Sequence, residues 1–177
     1  VALVTIYKKE WAPVTVPIYA VLEGLALGGI SKLYAEMFEP GIVPQAISLT
    51  LGILIALLFA YKTKIIKVTE NFKLGVFAAT MGLLIVYLIS YFMSVFGGTG
   101  LPIMNPANAS VLSIGFSIFV IVIASLNLVM DFDFIEKGVE NGAPKYMEWY
   151  SAFGLLVTLI WLYVEILRLL AKLSSRD

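Results

Sequence analysis

Five acidic side chains stand within or at the edge of long apolar runs, and they are the residues with types and spacing suited to chemistry. Glu23 lies in Tyr-Ala-Val-Leu-Glu-Gly-Leu-Ala-Leu-Gly with no Lys or Arg within a helical turn. Asp131 and Asp133 follow Leu-Val-Met, and Glu148 and Glu165 stand near the two ends of another run. On insertion scales an ionisable group at the centre of a span is unfavourable by about 2.5–3.5 kcal/mol, so it persists mainly where it faces a bundle interior or a water path. Carboxyls so placed can exchange a proton or touch a passing cation. The chain has no histidine and no cysteine. That removes imidazole bases, thiolate nucleophiles, disulfides and zinc sites of the usual kind. Neither Gly-Xaa-Gly-Asp nor Gly-Xaa-Ser-Xaa-Gly occurs, so no enzyme activity and no bound cofactor are expected.

Spacing assigns these residues to helix faces. Ser113, Ser117, Ala124, Asn127 and Asp131 follow intervals that keep one face, and so do Glu148, Ser151, Leu155, Thr158, Leu162 and Glu165. Asp131 and Asp133 are two apart and point in different directions, which gives Asp131 to the bundle and Asp133 to solvent or a neighbour. Plainer readings stand beside these. Asp131, Asp133 and Glu136 also describe a hydrated helix end, and Glu165 with Arg168 describes a local ion pair. An Asp-Xaa-Asp metal and phosphate site lacks Gly-rich or basic company here.

The elements that must position these groups are read from composition. Of 177 residues 60% are hydrophobic and 14% charged, and the mean hydropathy is +0.96. A soluble domain carries about 25% charged residues, whereas a bilayer core needs about 20 consecutive apolar residues per helix. Five runs qualify: 12–33, 42–61, 74–96, 111–130 and 147–170. Their connectors are short, and no period-2 alternation appears, so the fold class is all-α, a polytopic transmembrane helix bundle in one domain. Lys8, Lys9, Lys62, Lys64, Lys67, Lys73, Lys137 and Lys145 fall on one side, against Lys32, Arg168, Lys172 and Arg176. Eight against four assigns the lysine-rich side to the cytoplasm. The formal net charge is zero, so nucleic acid is not an expected partner. Small residues four apart, at Ala20, Gly24 and Gly28 and at Ser48, Gly52, Ala56 and Ala60, predict close helix contacts.

Four stretches carry a family likeness: Trp-Ala-Pro-Val-Thr-Val-Pro-Ile-Tyr-Ala-Val-Leu-Glu-Gly-Leu from Trp11, Asn-Leu-Val-Met-Asp-Phe-Asp-Phe-Ile-Glu from Asn127, Gly-Ala-Pro-Lys-Tyr-Met-Glu-Trp-Tyr-Ser-Ala-Phe-Gly from Gly142, and Trp-Leu-Tyr-Val-Glu-Ile-Leu-Arg-Leu-Leu from Trp161. Together they resemble the Bax inhibitor-1/YccA-like family in its bacterial branch. The resemblance implies seven transmembrane helices with the last packed centrally. It therefore implies that the first helix and most of the second precede Val1.

The resemblance also implies a pH-sensitive calcium leak gated by two aspartates on the sixth and seventh helices. Asp131 fits the first. The second falls on Thr158, Glu165 or Glu148 according to which motif anchors the match. Physically, two close carboxyls do not both ionise cheaply, and deprotonation of one can change helix packing. Under this reading Asp131, Asp133, Glu148 and Glu165 are the gating and pH-sensing groups. Glu23, Asn127 and Thr158 line an ion path, and Asp131 with Glu148 touches calcium transiently as the permeant ion. By depth, Asp131 and Glu148 are expected at the inner edge, Glu23 near the middle and Glu165 toward the outer edge. The alternative is a non-conducting protein that modulates a membrane protease or belongs to a larger membrane complex. The expected surroundings are a lipid bilayer, by the resemblance the bacterial inner membrane.

Overall fold

Backbone donors and acceptors in lipid have to be satisfied within their own segment, and this chain does so with helices throughout. A computed structural model describes residues 1–177. A short α1 (Ala2–Tyr7) and a 3-10 turn (Lys9–Trp11) lead into α2 (Ala12–Met37) and α3 (Ile42–Lys62). Then follow α4 (Glu70–Gly97), a 3-10 turn (Pro102–Met104), α5 (Val111–Glu140) and α6 (Tyr146–Ser174). The five long helices are each long and apolar enough to cross a membrane.

Local chemistry sets several of the ends. Thr69 caps α4, its hydroxyl accepting from the Phe72 N–H at 3.1 Å, and Ser110 caps α5 in the same way through the Ser113 N–H. Each cap satisfies a donor that helix geometry leaves free. α4 stops at Gly98, whose φ of +76° is a left-handed conformation that glycine adopts without steric cost.

Successive long helices alternate in direction, so α2, α4 and α6 run one way and α3 and α5 the other. The lysines consequently meet at one end. Lys64 lies 3.4 Å from Glu136 and Lys73 3.6 Å from Asp133, while Lys9 sits over the Tyr150 ring. At the opposite end Lys172 reaches the Pro102–Met104 turn through the Ile103 carbonyl.

α6 occupies the centre, packing against α2, α3 and α5. Ala124 and Leu128 of α5 and Ile42 and Ala46 of α3 close on Leu162, Ile166 and Leu167 of α6. Only 28 of 177 residues are buried, and Leu25, Ile55, Phe77, Ile85 and Phe119 are among many large apolar side chains left outward. With lipid as the surrounding solvent those side chains need no protein cover. The central position of α6 is the arrangement that the family likeness implies.

Two expectations are corrected. α5 does not end at residue 130 but continues to Glu140, so Asp131 stands about 14 Å inside the helix at 1.5 Å per residue and not at its terminus. The charged stretch stays helical because its charges pair along and across helices, Asp133 with Lys137 at 2.7 Å among them. The small-residue faces do not pack within the chain either. Nothing lies within 4 Å of a side chain built on Gly24, Gly28 or Gly52. The face of α2 that turns inward is instead Ala12, Val16, Tyr19, Glu23, Leu27, Ile30 and Tyr34. Gly24→Ala is therefore expected to leave stability unchanged or raise it by up to about 1 kcal/mol through helix propensity. Thermal unfolding of the detergent-solubilised chain checks this, and a loss of stability would mean that this face is packed.

Candidate functional site

Asp131 lies on α5 against the middle of α6. With Thr158 and Gly154 of α6, Tyr19 of α2 and Phe134 of α5 it lines an open cavity of about 490 Å³. Gly154 allows the approach, since a side chain built on it would stand 3.6 Å from Asp131 Oδ1. The Thr158 hydroxyl donates to the Gly154 carbonyl at 3.1 Å. Asp131 Oδ2 is buried and has no hydrogen-bond partner. No lysine or arginine lines the cavity. An ionised carboxylate here has no fixed counter-charge, so it draws on water, a cation or a proton.

Of the three candidate partners on α6, the fold brings Thr158 to Asp131 and separates the other two. Glu148 is exposed in the first turn of α6, a position that the helix dipole favours for an acid. It lines a different groove with Ile135, Gly138 and Val139. The shared calcium contact expected of Asp131 and Glu148 is thus not made, and the common inner-edge position expected of them is corrected as well. The reason is the length of α5: residues 135–139, not Asp131, reach the start of α6.

Glu165 is 2% exposed and fully engaged on one oxygen. Its Oε1 accepts from Arg168 at 2.5 Å and from the Tyr87 hydroxyl at 3.0 Å, and Trp161 Nε1 donates to that hydroxyl at 3.2 Å. Its Oε2 and Arg168 Nε have no partner. The pairing with Arg168 was legible three residues away in sequence. Tyr87 was not, because it arrives from α4, 78 residues earlier.

Glu23 is half-buried on the inward face of α2. The ring contact of Tyr19 with Phe153 at 5.0 Å and the Ser31–Tyr163 hydrogen bond at 2.7 Å fix the α2–α6 register. Interpolation between them sets Glu23 level with about Leu156, between Gly154 and Thr158. Glu23 and Asp131 therefore share a level of the bundle, where depth reasoning expected them apart.

The single polar face expected on α5 serves two different helices, α4 and α6. Ser117 meets Lys172 at 2.8 Å. Asn127 donates to Thr80 of α4 at 2.8 Å and to its own Ile123 carbonyl. Asp131 turns to α6. Asp133 sits between Lys73 and Lys137, and Glu136 accepts from Tyr61 and meets Lys64. Those two acids clamp the lysine-rich ends of α3, α4 and α5 together.

No three acids converge closely enough to hold a metal ion. What the chain presents is an unpaired carboxyl beside a central helix with a hydroxyl opposite. A family model described as Bax inhibitor 1 like matches residues 1–175. The chain belongs to that family. It is an integral, multi-pass membrane protein. No curated protein and no solved structure matches it.

Proposed function

We propose that this Bax inhibitor 1-like chain forms a proton-regulated cation leak, with calcium as the permeant ion and Asp131 as the regulating group. The observation that supports it most is Asp131 Oδ2, buried without a donor beside a cavity between α2, α5 and α6. Its protonated form needs no counter-charge, whereas its ionised form must draw in water or a cation, so the two forms favour different packing around α6. Calcium takes six to eight oxygens. Asp131, Thr158 and Glu23 offer too few for a closed cage, which suits passage over storage. The proposed location is the bacterial cytoplasmic membrane, lysine-rich end inward.

A second reading, a non-conducting partner of a membrane protease or a larger complex, draws on the small-residue faces around Gly24, Gly28 and Gly52. They contact nothing in the chain, and such faces let helices approach closely. The deciding experiment is calcium uptake into dye-loaded proteoliposomes from about pH 6 to about pH 8. The leak reading expects uptake above protein-free vesicles that rises with pH. It also expects Glu148→Gln to follow the unmodified protein, because Glu148 is exposed and lines a separate groove. Folded protein that adds no uptake at any pH rejects the leak and leaves the partner reading.

A further inference from the structure

Lys172 is fully buried, at 0% exposure, near the end of α6. Its ammonium donates to the Ile103 carbonyl at 2.7 Å, to Ser117 Oγ at 2.8 Å and to the Ser113 carbonyl at 3.0 Å. An ammonium has three donors, and here three oxygens receive them. None of the three carries charge, and no carboxylate lies within ion-pair distance of Lys172. Buried lysines are ordinarily paired with an acid, so an ammonium held by neutral oxygens alone is unusual.

The two carbonyl oxygens are also held in place without the lysine. Ser113 Oγ donates to the Ile103 carbonyl at 3.0 Å, tying the Pro102–Met104 turn to the start of α5. Ser110 caps the same turn of α5 through the Ser113 N–H. Converging carbonyl and hydroxyl oxygens that replace a hydration shell are how proteins hold small stripped cations. The separations of 2.7 to 3.0 Å exceed the roughly 2.3–2.6 Å that calcium requires. The cradle therefore suits a large monovalent cation.

We propose that Ile103 O, Ser113 O and Ser117 Oγ form a monovalent-cation site whose tethered occupant is the Lys172 ammonium. The site lies at the end of the bundle opposite the lysine-rich one. There the ammonium occupies the oxygens that a free cation would need. Lys172 then acts as a plug at this end, a role that rests on the leak reading, whereas the cradle itself does not.

The test compares thermal unfolding of the full chain in rubidium chloride and in choline chloride, each at about 0.2 M, rubidium standing for the free cation. The unmodified protein is expected to unfold at one temperature in both salts. Lys172→Met is expected to unfold about 2–4 °C higher in rubidium. Adding Ser117→Ala to that variant removes one of three oxygens and is expected to abolish the difference. Equal midpoints for Lys172→Met in the two salts overturn the site. So does failure to fold in either, since free rubidium should replace the ammonium. In proteoliposomes the plug role predicts at least about tenfold faster rubidium flux for Lys172→Met. A rubidium-dependent midpoint without added flux keeps the site and rejects the plug.

Discussion

Replacing Asp131 with asparagine is expected to hold calcium uptake at its acid-side level, within about twofold, across the range from about pH 6 to about pH 8. Asparagine keeps the shape of the side chain and stays neutral, so it imitates the protonated form at every pH. The groups facing Asp131 in its cavity are Tyr19 of α2, Thr158 and Tyr150 of α6 and the apolar Phe134 of α5. None is a fixed cation. Ionisation of Asp131 is then answered by what enters the cavity, and an asparagine asks for nothing to enter. A single proton-linked site changes its equilibrium by no more than about tenfold per pH unit, which bounds the slope expected of the unmodified protein. Proteoliposome flux measured side by side reads both slopes. A variant that keeps the original slope would place the sensor elsewhere, with Glu23, at the same level on α2, next in line.

The helical architecture was legible because a bilayer imposes length and apolarity on every span, and those are properties of contiguous sequence. The grouping of lysines at one end followed from simple alternation of five spans. What was not legible depended on distant partners or on the limits of a pattern. Residues 131–140 look like a helix end because they are charged, yet Lys73 of α4, Tyr61 of α3 and Lys64 of the loop after α3 engage Asp133 and Glu136 and the helix continues. Small residues at Gly24, Gly28 and Gly52 show that a close approach is possible without naming what approaches. Counted with Arg168 and Arg176, Lys172 reads as a basic tail at an interface. Its three oxygens come from 55 to 69 residues away, so no local pattern announces that it is buried. The ambiguity over the group opposite Asp131 was likewise a matter of register. It closed on Thr158 because helix packing, unlike motif alignment, fixes which turn of α6 meets which turn of α5.

Arg168→Ala is expected to destabilise the chain by about 3–5 kcal/mol, the range seen when one partner of a buried ion pair is removed. Glu165 is 2% exposed and the Arg168 side chain 20%, so water does little to replace the guanidinium. The Tyr87 hydroxyl, itself supported by Trp161, remains as one donor to Glu165 Oε1. Oε2, already without a partner, leaves the carboxylate short of both charge and donors. The loss arises from the stranded charge more than from the value of the pair, and the two contributions are separable. Arg168→Met combined with Glu165→Gln removes both charges at similar volume, and it is expected to recover most of the stability lost by Arg168→Met alone. Unfolding by denaturant in detergent, run on both singles and the double, closes the cycle. If the double is as unstable as Arg168→Met, the arginine stabilises through contacts other than Glu165. If it recovers, Glu165 and Arg168 act as a pair within their own helix, and a permeant cation finds that carboxylate already engaged.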